Sequence, residues 1–231
     1  MKDLSIVIPC YKEKESIVER IYDDLVALDA EVIVVDDGGF MAFSERIRTV
    51  SYNGNKGYGY AIKKGVEAAS RPFIITIDGD GQHSVKDAEK LYKVFSMIDD
   101  CKMLVGCRWN LKEEQHRTFG RKILNFIATC FAGHYLIDLN SGMRMFSRDL
   151  AIKYEKILCD RFSYTTSLTL SFIADGYKVA WFPIDVVPRK YGKSRVNVIK
   201  DGFVTLYYIL RIGIACRTRG IRGWLRNILG Q

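Results

Sequence analysis

A chain of 231 residues, 48% of them hydrophobic, can bury one sizeable core, and it contains no low-complexity tract or obvious linker. Its net charge of +8 favours anionic company, phosphates or acidic lipid, whereas no helix-turn-helix, zinc-finger or RNP-type signature accompanies the basic stretches, so nucleic acid is not an expected partner. Six cysteines without a Cys-x-x-Cys pair argue against disulfides and zinc and for a reducing compartment.

Leu4 to Pro9 reads as a short apolar strand ending in a Pro-Cys-Tyr-Lys-Glu loop, and its start so close to Met1 leaves no room for a signal peptide. From Glu15 to Leu28 the apolar residues Ile17, Ile21, Leu25 and Leu28 recur at helical spacing. Glu31 to Val35 is a second buried strand stopping at Asp36-Asp37-Gly38-Gly39, and Arg46 to Tyr52 reads as a third. The glycine-rich run Asn53 to Gly59 then turns into a helix from Tyr60 to Ala69. Phe73 to Ile77 is apolar and rich in β-branched residues, as a strand buried on both faces should be. A helix from Ser84 to Met97, with Ser84 and Asp87 as a capping-box-like start, and a strand from Met103 to Gly106 complete an alternation that predicts a mostly parallel sheet with helices on both faces.

After Arg108 the rhythm changes. A basic-to-apolar helix is expected from Arg117 to Ala132, a turn from Asp138 to Arg144, and a short strand from Met143 to Phe146. Helices from Arg148 to Ile157 and Thr165 to Ala174 follow, then a strand from Lys178 to Val187. From Val196 onward apolar runs mix with regularly placed Arg and Lys. No apolar stretch reaches the ~20 residues of a membrane span, so this tail (residues 196–231, against a body of 1–195) is expected to lie at a membrane interface.

The chemistry concentrates after the Phe73 to Ile77 strand, where Asp78-Gly79-Asp80-Gly81-Gln82-His83 brings two carboxylates one residue apart. Alternate residues of an extended segment point the same way, so both acids can face one hard cation, and the carboxyl end of a parallel strand is where open α/β sheets bind ligands. A divalent ion bridged to a nucleoside diphosphate fits this pattern; the competing reading is a turn that simply favours Asp and Gly. A Rossmann fingerprint would put glycines directly after the first strand, where Pro9-Cys-Tyr-Lys-Glu13 stands, and there is no P-loop lysine pattern. His83 reads as a helix-entry residue, with a supporting role beside a metal as the alternative.

In chain order, Ser5-Ile-Val-Ile-Pro-Cys-Tyr-Lys-Glu13, Val34-Val-Asp-Asp-Gly38, Asn55-Lys-Gly-Tyr-Gly59 and Asp78-Gly-Asp-Gly-Gln82 resemble the motifs of family 2 glycosyltransferases of the GT-A fold. Gly106-Cys-Arg108, Asp138-Leu-Asn-Ser-Gly-Met-Arg144 and Arg189-Lys-Tyr-Gly-Lys-Ser-Arg195 are similar to later motifs of dolichol-phosphate mannose synthases and bacterial polyprenyl-phosphate glycosyltransferases. The resemblance implies that Pro9, Tyr11, Glu13, Val35 and Asp37 hold the nucleoside of a UDP- or GDP-hexose of mannose or glucose type, with Gly79 and Arg195 also lining the donor site. It further implies that Asp78, Asp80 and Gln82 hold Mg2+ or Mn2+ and the diphosphate, Asp80 most directly. Arg108, Arg117, Arg189 and Arg195 would surround the phosphates, with Asp80, Arg108, Arg117 and Arg189 carrying catalysis, and Arg117, Arg121, Ser141 and Arg144 would receive an acceptor phosphate.

A sugar hydroxyl attacks only with a general base, whereas a lipid monophosphate is already an anion. No convincing base carboxylate stands in the arginine-rich segment from Arg108 to Arg144: Glu113 and Glu114 sit in a charged loop, and Asp138 reads as a turn residue rather than a base. The expected activity is metal-dependent, inverting hexose transfer to a polyprenyl phosphate by a protein peripheral on the cytoplasmic face of a membrane. Transfer to a saccharide hydroxyl in cell-surface polysaccharide assembly is the alternative enzyme, and a catalytically silent membrane-docked scaffold the alternative of another class. The chain departs from the family's pattern at Asp36-Asp-Gly-Gly-Phe40, where Ser usually follows Gly38, at Arg121, where Ser is common, and in ending without the pair of membrane spans that many bacterial relatives carry.

Overall fold

The computed structural model describes residues 1–108, 115–133, 135–186 and 200–214. Its centre is a sheet in the order β3-β2-β1-β4-β6-β5-β7, formed by β1 (Leu4–Cys10), β2 (Glu31–Asp36), β3 (Thr49–Ser51), β4 (Phe73–Thr76), β5 (Cys101–Arg108), β6 (Arg144–Ser147) and β7 (Lys178–Ile184). The apolar runs become the central strands because each is covered on both faces; every residue of β1 is buried. All neighbours pair in parallel except β6, which runs antiparallel to both β4 and β5.

That reversal positions the site. Because β6 runs backwards, the loop entering it emerges at the same sheet edge as the carboxyl ends of β1, β2 and β4. The expected alternation of strand and helix gives a parallel sheet, and the antiparallel insertion is what it does not disclose.

Helices α1 (Glu15–Val26) and α3 (Val85–Met97) cover one face through Val18, Leu25, Leu91 and Phe95 packed on Ile6, Ile8 and Ile75. On the other face lie α2 (Tyr58–Ala68), α5 (Arg148–Tyr154) and α6 (Tyr164–Ala174), through Ile62, Val66, Tyr154, Leu168 and Phe172. A third apolar cluster joins α6 to α4 (Gln115–Ala132) and to the helix of residues 200–214, here α7, through Ala128, Leu170, Ile209 and Ile212. A buried hydrogen bond of 2.8 Å between the Ser163 and Thr205 hydroxyls adds to it, so α7 is packed on the body of the fold.

Most expected elements appear with shifted ends. The third strand shrinks from Arg46–Tyr52 to Thr49–Ser51, because Ile47 N–H turns back to the Ser44 carbonyl and Arg46 reaches out to Asp23. The last strand stops at Ile184 rather than Val187, and the first helix at Val26, where Leu28 and Asp29 already make turn hydrogen bonds. Ser84 caps α3 as expected, its hydroxyl accepting from Lys86 N–H at 3.1 Å.

Candidate functional site

Four loops converge at the edge just described. Those following β1 and β2 are tied together by Asp37 N–H donating to the Cys10 carbonyl at 2.8 Å. Pro9 and Val35 are register partners in adjacent strands, and Tyr11 and Glu13 follow half-buried in the loop. The resemblance groups these residues around a nucleoside, and the fold does bring them to one edge.

Asp37 holds the glycine-rich turn in place. Its buried carboxylate accepts from Tyr52 Oη at 2.9 Å, Asn55 Nδ2 at 2.7 Å, Lys56 N–H at 2.7 Å and Gly57 N–H at 2.9 Å. A carboxylate offers about four lone-pair sites, so in this structure Asp37 is fully engaged as a hub for the glycine-rich turn. Burial first, and then this carboxylate, push the Tyr52 phenol far up from its ordinary value, keeping it a donor. Asp36 organises the other side of the loop, accepting from Gly39 N–H at 2.7 Å and Met41 N–H at 3.0 Å.

The acid pair follows β4. Asp80 is buried, and its Oδ1 accepts from Gln82 N–H at 3.0 Å, which shapes the tight turn. Gly79 between the acids lies so close to the first strand that a Cβ there would stand 2.7 Å from Cys10 Sγ. Asp78 Oδ1 accepts from Tyr58 Oη at 2.9 Å, and His83 Nδ1 lies 3.9 Å from Asp78 Oδ2. His83, immediately before the Ser84 N-cap of α3, is buried, bridges to Val186, and its Nδ1 has no hydrogen-bond partner.

The loop entering β6 closes the site from the other side. Thr76 Oγ1 donates to the Gly142 carbonyl at 2.6 Å, and the Gly142 backbone is pressed onto Asp78: a Cβ at this position would lie 2.3 Å from Asp78 Oδ2. Asp138 grips Arg108 through two bonds, Nε to Oδ2 at 2.8 Å and Nη2 to Oδ1 at 2.9 Å, and is only 5% exposed. Such a fork-to-fork pair is the strongest geometry open to a carboxylate and a guanidinium. Thr166, at the start of α6, donates to Asn140 Oδ1 at 3.1 Å in the same loop.

Arg144 is buried inside the β6 entry loop. It is 0% exposed, and its five N–H groups are spent on the carbonyls of Leu139, Ser141 and Thr165 and on Thr169 Oγ1. Burial pulls its pKa down to about 10, while Tyr58 and Asp138 act in the opposite sense. In this structure it therefore fastens the loop. Ser141 is likewise fully buried, with a hydroxyl that has no partner in the structure.

The expectations for Arg117 and Arg121 place them on α4, but their side chains lie outside the described residues, as do Arg189, Arg195, Glu113, Glu114 and residues 215–231. Among the described residues no group of three or more His, Cys, Asp or Glu is arranged to hold a metal. Mg2+ and Mn2+ are often held by one or two carboxylates and completed by water and substrate phosphates, so Asp78 and Asp80 are the acids here that could hold such an ion. Sequence reasoning missed Tyr58, whose one signal was its place directly after the glycine turn, and the pairing of Arg108 with Asp138, which spacing of 30 residues hides.

Comparison with known proteins gives a consistent pattern. The family described as glycosyl transferase family 2 matches residues 5–155. The UDP-N-acetylglucosamine–dolichyl-phosphate N-acetylglucosaminyltransferase of Methanococcus voltae is 25% identical, over 91% of this chain and 96% of its own length. Human dolichyl-phosphate beta-glucosyltransferase is 26% identical over 77% of this chain and 64% of its own length. Among solved structures, glucosyl-3-phosphoglycerate synthase from Mycobacterium tuberculosis in complex with Mn2+, UDP and phosphoglyceric acid superimposes with a TM-score of 0.71 at 17% identity, covering 92% of this chain and 78% of that one. The shared architecture is the GT-A fold.

Proposed function

The chain belongs to glycosyl transferase family 2, and from that premise we propose that it transfers a hexose, with inversion, from a nucleoside-diphosphate sugar to a polyprenyl phosphate. The observation that carries the reading is the Arg108–Asp138 pair. Asp138 is the acid of the β6 entry loop, and a carboxylate whose two oxygens both accept from a guanidinium cannot take a proton from an attacking hydroxyl without breaking that pair. An acceptor that is already an anion needs no such base. Relatives named for dolichyl and undecaprenyl phosphate support the same acceptor class.

In the reaction an acceptor phosphate oxygen forms the bond to the anomeric carbon from one side as the bond from that carbon to the diphosphate oxygen breaks on the other. No proton is moved. Asp78 and Asp80 would hold Mg2+ or Mn2+, which when bound supplies charge neutralisation for the departing diphosphate. The Gln82 N–H shapes the turn that presents Asp80, and Arg108, held in orientation by Asp138, would lie beside the phosphates. Tyr11, Glu13, Pro9 and Val35 would line the nucleoside.

A membrane surface is the implied partner. On α7, Phe203, Tyr207, Leu210 and Ile214 form one exposed stripe, with Phe203 70% and Tyr207 57% exposed. Ile123 and Phe126 of the adjoining α4 are exposed as well, and Lys122, Lys200 and Arg211 stand in solvent on the same two helices. Apolar residues with flanking cations suit the interface of an anionic leaflet, and among the described residues no helix is long and apolar enough to cross one. We place the protein, on this reading, at the cytoplasmic face.

The test is incubation with radiolabelled UDP- or GDP-hexose, polyprenyl phosphate and Mn2+. An organic-extractable, acid-labile product is expected. Label transferred only to a saccharide hydroxyl would replace this reading by the polysaccharide one, and no transfer with any nucleotide sugar would leave a silent scaffold.

A further inference from the structure

We propose that Tyr58 is a positioning residue for the acid pair: its hydroxyl anchors one oxygen of Asp78 and thereby presents the other to the cation and diphosphate. The inference rests on the metal reading above and adds a residue that lies outside the Asp-Gly-Asp sequence.

The two oxygens of Asp78 differ in their hydrogen bonding, while the Gly142 backbone crowds the whole carboxylate. Its Oδ1 is held by Tyr58 Oη at 2.9 Å. Its Oδ2 has His83 Nδ1 at 3.9 Å, beyond hydrogen-bond reach, and the backbone of Gly142 alongside. Gly142 leaves no room for a side chain, so the carboxylate cannot swing toward β6, and the phenol fixes its remaining rotation.

The position of Tyr58 is itself set from the nucleoside side. It is the first residue of α2, directly after Gly57, whose N–H is bound to Asp37 at 2.9 Å, with Lys56 N–H bound there too. One side chain therefore connects the turn organised by Asp37 with the acid next to the diphosphate. A phenylalanine would fill the same space and pack equally well; only the hydroxyl makes the connection.

The experiment compares wild type and Tyr58→Phe for Mn2+ uptake in the presence of UDP, and in parallel GDP, by the electron paramagnetic resonance signal of free Mn2+. Outer-shell partners of metal ligands are worth about 10–100-fold in metal affinity, so Mn2+ binding should weaken about tenfold. Nucleotide affinity in EDTA should stay unchanged, and turnover should recover at saturating Mn2+. Unchanged Mn2+ affinity in Tyr58→Phe, while Asp80→Ala abolishes uptake, overturns the role of Tyr58 and leaves the metal reading standing. A parallel loss of nucleotide affinity in EDTA also overturns it, since the residue would then support the whole pocket. Absence of Mn2+ uptake by wild type with either nucleotide would remove the metal reading and this inference together.

Discussion

Replacing Arg144 by methionine separates two roles for this guanidinium, loop fastener and acceptor ligand. Methionine keeps most of the aliphatic volume but removes every donor. The Thr165 carbonyl still accepts from Thr169 Oγ1 at 2.8 Å, whereas the loop carbonyls of Leu139 and Ser141 lose the hydrogen bonds that Arg144 gives them. An unsatisfied buried acceptor costs about 1–3 kcal/mol, so two of them cost about 2–6 kcal/mol. Removing a buried charge returns part of its desolvation penalty, which brings the net loss to about 3 kcal/mol. At about 2–4 °C per kcal/mol for a chain of this size, the unfolding midpoint should fall by about 6–12 °C. Arg144→Lys should fall nearly as far, because three donors on one nitrogen cannot span acceptors arranged for a planar fork.

Thermal unfolding followed by circular dichroism gives the first number, and steady-state kinetics with varied polyprenyl phosphate the second. Transfer should drop at all acceptor concentrations, since the same loop presses Gly142 on Asp78 and carries Asp138 to Arg108. A variant that melts with wild type and shows only a raised KM for the lipid phosphate would refute the argument. Arg144 would then be an acceptor ligand after all.

Glu31, at the start of β2, gathers Ser5 Oγ, Ser70 N–H at 2.8 Å, Ser70 Oγ at 3.0 Å and Arg48. Burial alone would raise its pKa, but these donors outweigh it and hold the carboxyl below its ordinary value. A depressed folded pKa contributes stability above the ordinary carboxylate range that is lost as pH falls through the folded value. Urea unfolding should therefore show Glu31→Gln less stable than wild type at pH 7 and the gap closing in acid; a gap independent of pH would contradict this. For the membrane face, changing Phe203, Tyr207 and Leu210 together to serine should abolish sedimentation with anionic vesicles and leave nucleotide binding intact, while undiminished sedimentation would mean that another surface makes the contact.

How far the sequence discloses this molecule depends on the range of each interaction. Strands β1, β2 and β4 are legible because a run of β-branched and apolar residues has few other fates, and the motifs at their ends follow directly. The direction of β6 is not legible, since the turn chemistry of Asp138 to Gly142 says that the chain bends and not which way it re-enters the sheet. Arg144 inherits that ambiguity. In a basic segment it reads as a phosphate ligand, and only the docking of α6 supplies Thr165 and Thr169 as partners. The unusual string of hydroxyls from Thr165 to Ser171, all buried, was the available signal that a polar group from elsewhere would need company. Asp37 is hidden for the reverse reason: its partners lie 15 to 20 residues away, near enough for a local turn to engage a side chain that motif reasoning gives to a ligand.

Each acid at the sheet edge whose partners are visible serves another group: Asp36 and Asp37 hold backbone N–H groups, Asp78 receives Tyr58, Asp80 shapes its own turn, and Asp138 binds Arg108. A general base must exchange a proton during every turnover, so it needs an oxygen that can gain one without releasing the scaffold. Protonating Asp138 would break the bidentate pair that orients Arg108, and protonating Asp37 would loosen the turn that carries Tyr58. Chemistry that moves no proton leaves all of these contacts intact throughout the cycle. Attack by a phosphate oxygen, as proposed above, is such a chemistry, and the committed carboxylates of this edge support that proposal.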